Sequence, residues 1–353
     1  MVNKILMDFL CSKTDWEDLG NEKLLHELPE FGMEVGAAIN EDRLIDFTKE
    51  LSAQLEKMDL YKASLLSNFI GFACEKKEDT SAGEGMIKLF IRSCEKVYQM
   101  FQDLDEDEEN ELLDDVESLY NKNEDGARAY YGFNILCIST MAFLTRDAAL
   151  RARLQKTDIW DQVEYLCEET PETSYFASIG YVNLMHNTCS DTKLLVLFPE
   201  EKKGFFATAN DLNNCFHLLF LLEEQIYQKL GAKYGMEEFS ASDSLVRLAH
   251  GEYPENCWGN SYSTYFMECD YSTARHNQLE QDDMMSLIWG EMSPMYIPEV
   301  DDRAVIVLWR SGINRSFDAQ FLAVPHPALR PYVEIEQELT DVEYEAWIKK
   351  IRG

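Results

Sequence analysis

Cys257 is followed directly by Trp258, and His276 and His326 lie downstream, so this part of the chain holds the residue types of a thiol nucleophile and its base. A cysteine-dependent hydrolase or transferase would attack through the thiolate of Cys257 and pass its proton to a histidine, His276 first among the two. Such nucleophiles head an apolar helix whose dipole lowers the thiol pKa, whereas residues 259–265 are polar and turn-prone. The competing reading is a buried cysteine beside a packing tryptophan, and a bare dipeptide does not separate the two.

Two further constellations have ligand chemistry. His186 and Cys189 stand three apart, as zinc ligands do, but no second His or Cys pair of matching spacing accompanies them, so no metal site is expected. Asp103, Asp105, Asp107, Glu109 and Glu111 set carboxylates at alternate positions, as in a calcium-binding loop. That register puts Glu108 where the loop needs glycine and Asp114 where it needs a bidentate glutamate, so the run reads as a solvated acidic segment. Phosphate-binding glycine loops, Gly-x-Ser-x-Gly and His-Glu-x-x-His are missing, which moves the common nucleotide and zinc-hydrolase classes out of the first rank, and no cofactor is expected.

Charge is the stronger signal. The 353 residues carry 65 Asp and Glu against 32 Lys and Arg, a net charge of −33. Residues 103–125 hold twelve acids and one Lys, a net −11, and residues 236–302 hold a net −12. The segment between 126 and 157 is net basic, through Arg128, Arg146, Arg151, Arg153 and Lys156 against Asp147 alone. It is the expected local counter-charge of the run that precedes it. A surface so acidic repels nucleic acid and anionic membranes and attracts basic proteins. Candidate partner-binding residues are therefore Asp103, Asp105, Asp107, Glu108, Glu109, Asp114 and Asp115, with Trp258, Tyr262, Tyr265 and Asp270. In the second group aromatics would anchor and acids would steer.

These residues must be positioned by mostly helical elements. Apolar residues recur every three or four positions over 40–58, 86–101 and 211–230, and shorter helical patterns cover 148–156, 159–168, 175–187 and 240–250. Residues 60–74 and 127–144 are apolar nearly all round, as expected of buried helices. The uncharged run 129–145 contains Gly132, Asn134, Ser139 and Thr140, so a core helix is expected there rather than a membrane span. Gly71, Gly132 and Gly180 each sit beside an aromatic residue in an apolar helix, where a missing Cβ permits close helix approach. Residues 193–198 read as a short strand or a helical turn. Residues 304–309, 318–324 and 332–338 read as strands of a small sheet, and Thr340 with Glu343 reads as a capping box.

The expectation is a mainly α protein: a helical-hairpin array over 1–235, either a degenerate HEAT- or armadillo-like solenoid or an irregular bundle, and a smaller α+β domain over 236–353. Nine scattered cysteines, an odd number, suit buried thiols in a reducing compartment, and the N-terminus has no signal-peptide pattern, so a cytoplasmic protein is expected. The functional expectation is a protein-interaction module that captures a basic partner, in its sharpest form an inhibitor of immunity type. The alternatives are the cysteine enzyme, with its site in 252–326, and a self-assembling structural protein.

Overall fold

The computed structural model describes residues 2–104, 113, 115–168, 178–234, 239–269, 271, 288–310 and 315–352. Asp105, Asp107, Glu108, Glu109, Asp114, Asp270 and His276 lie outside the described residues. The chain forms two compact units, Met1–His186 and Asn187–Gly353, each with its own core. The expected boundary at 235 therefore moves upstream. Residues 192–230, assigned from sequence to the helical array, supply two strands and, among the described residues, the longest helix of the second unit.

The first unit contains α1 (Lys4–Cys11), α2 (Pro29–Asn40), α3 (Leu44–Ser52), α4 (Leu60–Lys77), α5 (Gly83–Gln102), α6 (Val116–Lys122), α7 (Glu124–Leu144), α8 (Ala148–Leu154), α9 (Trp160–Glu168) and α10 (Ile179–His186). The central element is α7, the uncharged run of the sequence, buried on nearly every side. Both α4 and α5 pack chiefly on it rather than on each other. Glycines let α4 and α7 cross closely. A Cβ at Gly132 would stand 2.5 Å from Ser64 Cβ, and one at Gly71 would stand 3.1 Å from Ser139 Cα. Gly180, the third glycine of that pattern, meets nothing within 4 Å.

The helix expected over 40–58 is shorter: α3 spans Leu44–Ser52, and a 3-10 turn follows at Leu55–Lys57. Asn40 closes α2 instead of opening a helix over 40–58, because Pro29 pre-sets the first turn of α2 and Asp42 takes a left-handed φ of 51° before α3 begins. The apolar stripe of α5, by contrast, is buried as its spacing predicts, at Met86, Phe90, Cys94, Val97 and Phe101.

Arg128 joins several of these helices. It is 2% exposed and binds Asp59 at 3.1 Å, Glu124 at 2.7 Å and Asp125 at 2.7 Å. Asp59 caps α4 by accepting from Lys62 N and also accepts the Thr14 hydroxyl at 2.6 Å. Together with Lys13 and Tyr120, Arg128 holds the Glu124 carboxyl down to about 2. The basic segment thus does neutralise the end of the acidic run, through Arg128, whereas Arg146 and Arg153 pair with Glu75 and Glu84.

The second unit is built on β1 (Thr192–Phe198), β2 (Lys203–Asn210), α11 (Cys215–Leu230), α12 (Asp243–Ala249), β3 (Ser261–Ser263), β4 (Phe266–Cys269), β5 (Ala304–Arg310), β6 (Ser316–Asp318), β7 (Tyr332–Glu338) and α13 (Asp341–Arg352). Five strands form a mixed sheet in the order β4–β5–β1–β2–β7, with β1 and β5 parallel. Leu194, Val196 and Phe198 face a core shared with α11, while Leu195 and Leu197 face the core of α13. A central strand covered on both faces reads as a continuous apolar run, which is why 193–198 lacked alternation.

The expected strand over 318–324 is a correction. β6 stops at Asp318, Ala319–Leu322 winds a 3-10 turn, and β6 pairs with β3 instead of forming a hairpin with β5. The capping box of α13 is formed: Thr340 N donates to Glu343 Oε2 at 2.8 Å, and Glu343 N donates to Thr340 Oγ1 at 3.3 Å. Mainly helical structure with a small C-terminal sheet is thus the fold class. Among the described residues no helix is long and apolar enough to cross a membrane.

Candidate functional site

Helix α11 is apolar on almost every side, yet it buries His217, Glu223 and Glu224. A charge inside such a helix persists only where it is hydrogen-bonded. Glu223 accepts the Tyr262 hydroxyl at 2.6 Å and the backbone N–H groups of Tyr265 and Phe266 at 3.0 and 3.1 Å. It fixes the chain between α12 and β4 onto the core. Burial, with Glu223 beside it, pushes the Tyr262 phenol far above its usual range.

The two histidines hold α12. His217 Nε2 donates to the Ala249 carbonyl at 2.7 Å, and His250 Nε2 meets Glu224 at 2.8 Å. Because a carbonyl only accepts, the hydrogen of His217 sits on Nε2, and its buried Nδ1 has no hydrogen-bond partner. Burial pushes the His217 pKa down to about 4, whereas the bond to Glu224 raises that of His250. An unfolded histidine protonates near 6.5, so between about 6.5 and 4 the unfolded chain takes up the His217 proton first and stability falls with pH. The expected loss from this side chain is about 3 kcal/mol over that window. Urea melts of the wild type and His217→Gln at the two ends of the window measure it: the variant should lose less stability on acidification, and parallel losses would contradict the assignment.

With α12 held this way, a surface cleft of about 500 Å³ opens along it, lined by Asp243, Ser244, Arg247, Tyr253, Glu255 and Asn256. Asn260 ties the cleft to its loop, donating to Ser244 Oγ at 3.3 Å and to the Asn256 carbonyl at 3.1 Å. Arg247 is neutralised by Glu252 at 2.6 Å. Asp243 and Glu255 make no ion pair among the described residues. Tyr253 stands half-exposed with its hydroxyl donating to the Val324 carbonyl, and Trp258, two residues beyond Asn256, is 57% exposed. Unpaired carboxylates beside exposed aromatic faces suit a cationic side chain, through ion pairing and cation–π attraction together.

The residues singled out from sequence divide between surface and core. Trp258 is exposed and Tyr265 half-buried, but Tyr262 points inward to Glu223, so the expected aromatic patch is split. Cys257 is fully buried in the core that contains Leu245 and Phe317. Its thiol is not presented to solvent, and His276 lies outside the described residues. His326 accepts from Ala328 N through Nδ1 at 3.1 Å. Asp103 is the exposed C-cap of α5, and Asp115 caps α6 by accepting from Ser118. His186 stacks on Trp160 with ring centroids 4.1 Å apart, and among the described residues no group of three or more His, Cys, Asp or Glu is placed to hold a metal.

Sequence reasoning missed Glu223, Asp243 and Tyr253. Glu223 and Glu224 had a usable signal, being the only charges between 212 and 228, a stretch otherwise uncharged. No family model matches the chain, and no curated protein or solved structure matches it either.

Proposed function

We propose that the chain is a protein-interaction module that captures a basic partner, and that the cleft along α12 receives a lysine or arginine side chain of that partner. The observation that carries this reading is the pair of unpaired cleft carboxylates, Asp243 and Glu255, flanked by exposed Tyr253 and Trp258 within a segment of net charge −12. Acidic blocks of this kind accelerate encounter with a cationic surface, while aromatic anchors supply the desolvated contact. In its sharpest form the protein is an inhibitor of immunity type that neutralises a cationic nuclease or other toxin. The free thiols of Cys74, Cys94 and Cys137, all buried, support a reducing compartment such as the cytoplasm for this work. For the first unit we favour an irregular bundle over a repeat array, because α4 and α5 converge on α7 instead of stacking in succession.

The test is calorimetric titration of the full chain with a lysine- and arginine-rich peptide that lacks large apolar residues, at stepped salt concentrations. Affinity should fall steeply with salt. Replacing Asp243 with Asn and Glu255 with Gln together should weaken binding by about tenfold, with Trp258→Ala adding to the loss. A control pair of exposed acids elsewhere, Glu117→Gln with Glu345→Gln, should cost much less. Equal losses from both pairs would reduce the cleft to a share of a diffuse field and sink the reading. Mass by light scattering in the same samples examines the self-assembly alternative.

A further inference from the structure

The first unit carries a concavity of its own, about 470 Å³ in volume, between the turn before α2, the outer face of α4 and one edge of α7. Leu65, Phe69 and Phe72 of α4 reach it from positions i, i+4 and i+7, one stripe of a helix. Phe31 and His26 form one wall, and Ile135 of α7 contributes to another. The floor is a set of edge-to-face aromatic contacts, Phe31 on Phe69 at 5.6 Å and Phe47 on Phe69 at 6.1 Å. Phe72 nevertheless remains 58% exposed, and Ile138, one residue before the Ser139 crossing point, remains 54% exposed. Such an apolar groove beside exposed large side chains is the form in which helix-binding sites occur.

Charge around the groove restricts its occupant. Glu22 and Lys23 line the groove, and Lys76 Nζ lies 5.7 Å from the Phe72 ring centroid. The segment 15–34 that supplies the wall of His26 and Phe31 contains Asp15, Glu17, Asp18, Glu22, Glu27, Glu30 and Glu34 against Lys23 alone, with the first five of these acids exposed. A second copy of this chain would bring another −33 toward that rim and meet repulsion. An anionic lipid surface would meet the same repulsion. A helix with bulky apolar residues on one face and lysines or arginines on the other satisfies both the groove and its rim. We infer that this groove receives the apolar face of a basic amphipathic helix belonging to the captured partner. The inference rests on the capture reading, but it places a second contact in the first unit, independent of the α12 cleft.

The experiment uses the full chain and two synthetic peptides of equal charge: a lysine-rich helix with leucine and phenylalanine at i, i+3, i+4 and i+7, and the same helix with those positions replaced by serine. The apolar peptide should bind at least about tenfold more tightly. That advantage should vanish in Phe72→Asp and shrink in Ile138→Asp, and it should persist in Trp258→Ala. Both substituted side chains are exposed, and circular dichroism melts verify that the variants fold. Glu22→Lys with Glu27→Lys gives an independent reading from the rim, since it should weaken both peptides and flatten their salt dependence. If both peptides bind equally and with salt dependence, the groove inference is wrong while basic-partner capture stands. If neither binds, both are wrong. A concentration-dependent dimer that dissociates in Phe72→Asp would assign the groove to a second copy and overturn the inference.

Discussion

Arg128→Ala should destabilise the full chain by about 3–5 kcal/mol in equilibrium urea unfolding. The side chains of Arg128 and Asp59 are each 2% exposed and meet at 3.1 Å, so removing the guanidinium leaves a carboxylate buried without its principal counter-charge. Asp59 cannot simply turn to water, because it also caps α4 and accepts the Thr14 hydroxyl. Glu124 and Asp125 bind the same guanidinium but are 40% and 57% exposed, and water replaces Arg128 for them. Glu124→Gln should therefore cost less than about 1 kcal/mol. Comparable losses in the two variants would mean that the network is governed by surface attraction and not by the buried pair.

Glu223→Ala should cost about 3–5 kcal/mol as well, for the complementary reason. The carboxylate is fully buried, and truncation leaves the Tyr262 hydroxyl and the N–H groups of Tyr265 and Phe266 without their acceptor. Gln at this position keeps one acceptor oxygen and presents an amide N–H₂ to the remaining donors, so Glu223→Gln should fall between wild type and Ala. Limited proteolysis supplies a local readout. The chain over 253–266 should become susceptible in Glu223→Ala before the sheet does, and loss of the whole unit in one step would show that Glu223 supports the core at large.

How far the sequence could be read depended on what each pattern measures. Residues 86–101 and 211–230 were legible because helical spacing reports one buried face directly. Residues 193–198 were ambiguous because a strand covered on both faces has no alternation, and the neighbouring β2 was missed because its pattern, KGFFATAN, contains Gly204 and the small residues Ala207 and Ala209, which pack in the core shared with α11. That single ambiguity carried α11 into the wrong unit. The glycine pattern was legible at Gly132, where a Cβ would collide with Ser64 on the facing helix, and at Gly71, where it would crowd Ser139, and uninformative at Gly180. Of the candidate site, Trp258 and Glu255 could be noticed as an aromatic and an acid in an acidic block, but sequence does not say that Tyr262 turns inward. Asp243 joins them only through the fold, since it lies at the first turn of α12 and is brought to Tyr253 and Glu255 by the two histidine contacts that hold that helix.

On the capture proposal, one basic partner meets two places, a carboxylate cleft in the second unit and an apolar groove beside the acidic segment 15–34 in the first. The central claim is that these places, and not acidity at large, do the capturing. Photo-crosslinking a lysine-rich amphipathic peptide to the full chain, with the attachment points read by mass spectrometry, tests this most directly. Attachment is expected to concentrate on residues 243–258 and on the surface around Phe72 and Glu22. Attachment spread over the chain in proportion to its carboxylates would contradict the account.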